Sequence, residues 1–251
     1  MMFAVPAWAE GRGLFSMESA EGDRRWEAVG RLEIAGKAFC TGALIEPDLV
    51  LTAAHCLFDP ETGARVPVED IQFLAGWRNG RAAAYRRVRQ AVEDPDYDFA
   101  GPADADRVRK DVALIELQHP IRNTVITPFA TDIRPGSGDE IGVVSYAHNR
   151  SEAPSLQELC EVLGLQQEVL VMSCEVDFGS SGSPVFTFDK GQPRIVSVVS
   201  AKADLEGRPV SLGTSLEVPV ARIKHVLAQG GVRNSLAAGV RKETGAKFVK
   251  P

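Results

Sequence analysis

The sequence predicts an all-β chain folded into barrels and closed by one C-terminal helix. Three observations predict it. Short apolar runs recur along most of the chain. Turn residues separate them. Helical periodicity is almost absent before residue 219. In order, residues 26–34 alternate apolar and polar side chains. Ala35-Gly36-Lys37 then gives a turn, and a second run over 38–45 makes a hairpin. Leu49-Val50-Leu51-Thr52 reads as a short buried strand, left on the small residues Ala53-Ala54 before His55. Further strands are expected over 71–74, 85–89 and 112–117. The Asp- and Pro-rich stretch 94–109 reads as an exposed loop. The second half repeats the style, with strands expected over 140–145, 169–173, 184–188, 194–201 and 212–218. Residues 219–229 form the exception. Proline opens the segment, Val220, Ile223, Val226 and Leu227 line one face, and Gly230-Gly231 follows.

Bulk properties narrow the function. The chain has 251 residues, 44% apolar and 25% charged, an ordinary globular composition with material for a real core. A formal net charge of -6 argues against a nucleic-acid partner, since phosphate binding wants a basic face. No apolar stretch approaches the roughly 18 residues of a membrane-spanning helix. Cys40, Cys56, Cys160 and Cys174 fall into two local pairs without the C-x-x-C spacing of a zinc site. They read as two disulfides closing short loops, which implies an oxidising compartment; four buried thiols are the alternative. Residues 1–9 resemble the tail of a signal peptide, with Ala7-Trp8-Ala9 as a small-x-small cleavage pattern. Residues 10–25 read as a polar N-terminal segment, and 231–251 as a flexible basic tail.

The chemistry centres on Gly179-Ser180-Ser181-Gly182-Ser183-Pro184. A serine on a Gly-rich turn between two apolar strands is exposed to attack chemistry, and successive backbone N–H groups there can converge on an anion. Such a serine needs a base. His55 ends a buried strand, and Asp111 opens another, where a carboxylate is costly unless paired. Histidine, aspartate and serine occur in that order, each at a strand edge, which is the order of the chymotrypsin-type triad.

Here the residues resemble a known family. Cys40-Thr41-Gly42-Ala43-Leu44-Ile45 and Val50-Leu51-Thr52-Ala53-Ala54-His55-Cys56 resemble the histidine region of trypsin-like serine proteases. Asp111-Val112-Ala113-Leu114-Ile115 resembles their aspartate motif, and 179–184 their serine motif. The resemblance implies two antiparallel six-stranded barrels, over 26–125 and 126–230, with the site in the cleft between them. It implies Ser181 as nucleophile, His55 as base and Asp111 as its orienting partner. It further implies an oxyanion hole from Gly179 and Ser181, support of the aspartate by Ser200, a Cys40–Cys56 disulfide beside the histidine, and a protein or peptide substrate; no cofactor is expected, and no His/Asp/Glu cluster has metal spacing.

The departures are informative. Ser180 replaces the aspartate that trypsin-like enzymes pair with a freshly cut N-terminus, so the site is expected to form by another route. Ser183 replaces the second glycine of the motif. The resulting pattern is similar to the bacterial glutamyl-endopeptidase branch, usually secreted. That branch carries a histidine where this chain has Val199. Glu175, Ala201 and Lys202 fall at the expected substrate pocket, where Lys202 either favours an acidic side chain or fills the pocket mouth, and Glu175 either attracts a basic side chain or is a loop residue next to Cys174. Two other functions share the motifs: a catalytically silent binding module and an esterase-like hydrolase. His119, His148 and His225 read as surface residues, and a calcium on an acidic loop such as 94–106 stays open.

Overall fold

The computed structural model describes residues 14–16, 24–188 and 192–230. The expected signal-peptide remnant and the expected basic tail lie outside the described residues. So does most of the N-terminal segment.

The chain runs through β1 (Leu14–Ser16), β2 (Val29–Ile34), β3 (Ala38–Glu46), β4 (Leu49–Thr52), β5 (Ile71–Ala75) and β6 (Ala84–Glu93). A short helix α1 (Ala105–Arg109) then precedes β7 (Ala113–Leu117). The second half contains β8 (Glu140–Ala147), β9 (Arg150–Gln166), β10 (Val169–Met172), β11 (Pro184–Thr187), β12 (Arg194–Leu205) and β13 (Arg208–Ser215). Helix α2 (Glu217–Ala228) ends the described fold.

Strands β2-β3-β4-β7-β6-β5 close the first barrel. Strands β9-β10-β13-β12-β11-β8 close the second, because β8 also pairs with β9. Strand β1 adds to β9, with Leu14 opposite Gln157. Every pairing between these strands is antiparallel, and the two closed six-stranded barrels match the expected architecture.

Alternation builds each interior. Leu32, Leu44, Val50, Phe73 and Ile115 share one face of the strands and fill the first barrel, all at most 1% exposed. Ile141, Val162, Leu170, Met172 and Val185 fill the second, beside Cys160 and Cys174. Trp26 ties the barrels together. It sits in a 3-10 turn (Arg24–Trp26), fully buried, with its ring 5.9 Å from Phe129 and 4.9 Å from Phe186 of β11. Burying a tryptophan there removes a large apolar surface from water.

Several elements differ from the sequence expectation. Strand β2 begins three residues after Trp26, because that ring packs between the barrels instead of alternating along a sheet. Strand β9 is 17 residues long, where no strand was expected. Pro154, Glu158, Glu161 and Gly164 depress its intrinsic preference, and pairing on both sides by β8 and β10 overrides that. Strand β13 lies earlier than expected, and β12 runs four residues longer to meet it in a hairpin. The stretch 94–109 is not simply loop. Asp104 caps α1, its side chain accepting the Arg107 N–H at 3.1 Å.

Helix α2 leaves the second barrel and lies on the first. Val220 and Ile223 are buried there. Arg222 reaches Asp94 at 3.3 Å and Asp96 at 2.7 Å, and Lys224 reaches Glu46 at 2.6 Å. Asp94 is 3% exposed, and its burial is made tolerable by this arginine together with the Asp96 N–H, which donates to Oδ1 at 2.9 Å.

Candidate active site

Strand β4 delivers His55 on a 3-10 turn, Ala54–Leu57. The chain leaving α1 delivers Asp111, whose N–H donates to Val108 O at 3.1 Å just before β7. The Asp111 carboxylate is 3% exposed at the residue level and fully engaged. Oδ1 accepts the His55 backbone N–H at 2.8 Å. Oδ2 pairs with His55 Nδ1 at 2.7 Å and accepts the Ser200 hydroxyl at 2.5 Å. A buried carboxylate is tolerable only with such partners. With Nδ1 donating to the carboxylate, Nε2 is the acceptor nitrogen of the neutral ring. Tyr97 packs nearby. Burial first, and then the Asp111 charge, push its hydroxyl pKa well above the ordinary tyrosine value.

The serine loop is held carbonyl by carbonyl. Asp177 O accepts from Ser180 N (2.9 Å), Phe178 O from His148 N (2.7 Å), and Ser180 O from Ser183 N (3.0 Å). Ser181 O accepts from Thr41 N (2.9 Å), and Gly179 O from Thr41 Oγ1 (2.9 Å). A trans peptide points its N–H opposite its C=O, so each pinned carbonyl aims the next N–H. Ser180, Gly182 and Ser183 donate to Asp177, Val199 and Ser180. Among the described residues, the N–H groups of Gly179 and Ser181 have no acceptor. The turn that carries Ser181 thus holds two backbone donors without an acceptor, the type of group that can stabilise an oxyanion.

The loop needs its glycines. Gly179 has φ +95°, and a Cβ there would lie 2.3 Å from the Phe39 ring. Gly182 has φ +75°, and a Cβ there would lie 2.4 Å from Thr41 O. Both sites also require the left-handed backbone.

Two cavities meet at His55. One, of 310 Å³, is lined by Phe39, Cys40, His55, Phe178, Gly179 and Ser181. The other, of 580 Å³, is lined by His55, Asp111, Ser200, Ala201, Lys202 and Val169, among others. The structure thus brings His55, Asp111, Ser181, Gly179 and Ser200 into one neighbourhood. Ala201 and Lys202 lie beside it. Glu175 lines neither cavity; it is exposed, and its N–H donates to Gln157 Oε1 at 2.7 Å. Lys202 is tied across the rim, 3.0 Å from Asp177 and 4.6 Å above the Phe178 ring. The hydrogen bond from Lys202 is the largest influence holding the Asp177 carboxyl below the usual carboxylate range.

Sequence reading missed two contributors. Thr41 sat inside a recognised motif without a role, and nothing local marks it. His148 is exposed, as expected, and it also lines the smaller cavity, while its backbone N–H sets the Phe178 carbonyl. Its backbone part carries no side-chain signal at all.

Both cysteine pairs are disulfides, Cys40–Cys56 and Cys160–Cys174. Among the described residues, possible metal-ligand atoms converge at Cys40, His55 and Cys56. Both sulfurs there are in the disulfide, so no thiolate is available to a metal. No helix among the described residues is long and apolar enough to cross a membrane.

A double barrel with a buried aspartate–histidine pair that shares a cavity with a serine on a Gly-rich turn fits the chymotrypsin-type architecture. The model of the Trypsin family matches residues 16–220, and the chain belongs to that family. It is 27% identical over 149 residues to a glutamyl endopeptidase of Bacillus licheniformis, covering 59% of this chain and 45% of that protein. It is 23% identical over 209 residues to an uncharacterized peptidase of Corynebacterium glutamicum, covering 78% of this chain and 64% of the relative. The chain therefore spans less than two thirds of the length of these relatives. Among solved structures, a Glu endopeptidase in complex with MPD superposes with a TM-score of 0.70 at 19% identity, covering 86% of this chain and 98% of that one. A thermostable serine protease from an extremophilic microorganism superposes with a TM-score of 0.65 at 16% identity, covering 82% and 99%. At these identities the superpositions speak for the fold.

Proposed function

We propose that this chain is a serine endopeptidase that cleaves protein or peptide substrates through an acyl-enzyme. The observation that carries the reading is the hydrogen-bonded series Ser200–Asp111–His55, which ends at the cavity His55 shares with Ser181. In this reading Ser181 Oγ attacks the scissile carbonyl carbon and gives its proton to His55 Nε2. The free N–H groups of Gly179 and Ser181 hold the resulting oxyanion. The C–N bond then breaks, and His55 passes the proton to the leaving amine. Water, deprotonated by the same imidazole, cleaves the Ser181 ester and regenerates the hydroxyl. Asp111 keeps the ring oriented and stabilises the imidazolium. No metal or cofactor enters these steps.

Residues 26–125 and 126–230 act as two barrel halves in this scheme, each supplying part of the site. The two disulfides and the kinship with bacterial peptidases support an exported protein, secreted or periplasmic. At the rim, an acidic substrate side chain would have to displace Asp177 from Lys202.

Fluorophosphonate labelling followed by intact mass and peptide mapping tests the reading. One adduct on Ser181 is expected, lost in Ser181→Ala and in His55→Ala. Turnover should fall by roughly 10⁴-fold or more in either variant. No adduct on the folded protein, or full turnover by Ser181→Ala, overturns it.

A further inference from the structure

Thr41 belongs to β3 of the first barrel, yet most of its hydrogen bonds go to the second. It is fully buried. Its N–H donates to Ser181 O at 2.9 Å, and its hydroxyl donates to Gly179 O at 2.9 Å. The same hydroxyl accepts the Tyr146 N–H of β8 at 3.1 Å. Its own carbonyl accepts the Thr52 hydroxyl at 2.8 Å, which anchors it to β4. The residue therefore grips both sides of Ser180 from across the barrel boundary.

Ser180 itself holds the loop weakly. Its buried hydroxyl lies 3.5 Å from Tyr146 O and 3.3 Å from Asp177 N. These are long, neutral contacts, where a charged partner would hold more firmly. The other carbonyls of the turn are fixed by backbone N–H groups, which no side-chain substitution removes. The Gly179–Ser180 peptide plane is held at one end by a backbone bond, Ser180 N–H to Asp177 O at 2.9 Å, and at its carbonyl end by a side chain. That plane links the two peptides that carry the Gly179 and Ser181 N–H groups, so shifting it changes ψ at Gly179 and φ at Ser180 and with them the angle between the two donors.

We propose that Thr41 is a positioning residue whose hydroxyl locks the Gly179–Ser180 peptide and so keeps the two flanking N–H groups aimed at one point, assembling the oxyanion site from the first barrel without a cut N-terminus. This rests on the reading of Ser181 as nucleophile. Thr41 touches no reacting atom in this role; it acts through the backbone of the turn. The isosteric Thr41→Val removes the hydroxyl and leaves the Gly179 carbonyl and the Tyr146 N–H without their partner. Thr41→Ser keeps both contacts.

The test compares wild type, Thr41→Val and Thr41→Ser by three readouts. These are kcat and KM on p-nitrophenyl acetate, the rate of fluorophosphonate labelling, and amide hydrogen exchange across 177–183 followed by mass spectrometry. Thr41→Val is expected to lose roughly tenfold or more in kcat, short of the 10²–10³-fold cost of deleting an oxyanion donor outright, with KM little changed. Labelling should slow in parallel. Exchange should speed up across 177–183 while the strands of both barrels keep wild-type protection. Thr41→Ser should restore all three. Wild-type kcat and exchange in a folded Thr41→Val overturn the proposal, as does an equal loss in Thr41→Ser. A wild-type protein that takes no label overturns the peptidase reading instead. The exchange comparison then decides the role of Thr41 alone: faster exchange confined to 177–183 supports it, and unchanged exchange overturns it.

Discussion

Gly182→Ala is the sharpest structural perturbation of the serine turn. A Cβ at this position would lie 2.2 Å from Thr52 Oγ1, 2.4 Å from Thr41 O and 2.9 Å from Ala53 N. Real Cβ contacts essentially never fall below 3.0 Å, so the worst overlap is 0.8 Å. Two of the three obstacles are backbone atoms of the first barrel and have nowhere to go. The turn must therefore retreat from β3 and β4 by nearly an ångström. A misplacement of about 1 Å in a catalytic array costs on the order of 10²-fold in rate, or about 2.7 kcal/mol of barrier. The φ of +75° adds about 1–2 kcal/mol of backbone strain for an L residue, felt as stability. Gly207→Ala separates the two effects, since φ there is +80° but nothing lies within 4 Å of the added Cβ. Thermal unfolding and steady-state hydrolysis of p-nitrophenyl acetate on both variants make the assay. Gly207→Ala should lose only the strain, with activity intact. Gly182→Ala should lose the strain, further stability from overpacking, and about two decades of kcat/KM. Wild-type activity and stability in Gly182→Ala would refute the claim that the turn is seated against the first barrel.

Two further outcomes follow from the same geometry. Lys202 depresses the Asp177 carboxyl, so the pair stabilises the fold above the ordinary carboxylate range and is lost as pH falls through the lowered value; Lys202→Met should move the Asp177 titration upward in an NMR pH series, and an unmoved titration would deny the pairing. Ser183 is fully buried and its hydroxyl has no partner among the described residues, so Ser183→Ala should be neutral or stabilising by about 1 kcal/mol in thermal melts, whereas a loss above that would reveal a bond the hydroxyl makes.

How much of this was legible in the chain depends on distance along it. Strands β4, β7 and β11 are dense apolar runs, and α2 carries its own proline and apolar stripe, so local pattern finds them. His55, Asp111 and Ser181 each lie inside a local motif, and their order along the chain is itself a signal. The sequence alone therefore determines the fold class and the family resemblance, and it marks His55, Asp111 and Ser181 as candidate site residues. It could not show what holds them. Thr41 reaches Gly179 across 138 positions, and Arg222 reaches Asp94 across 128. Strand β9 forms against its own composition because two neighbours offer it hydrogen bonds. Glu175 and Lys202 look alike as pocket candidates in the sequence, and only the folded chain, in which both are exposed, keeps Lys202 at the cavity rim paired with Asp177 and leaves Glu175 outside it. The physical reason is common to all four. Motifs are written in short-range chemistry, while hydrogen-bond partners and burial are settled by closure of the barrels, which brings together residues that no local pattern relates.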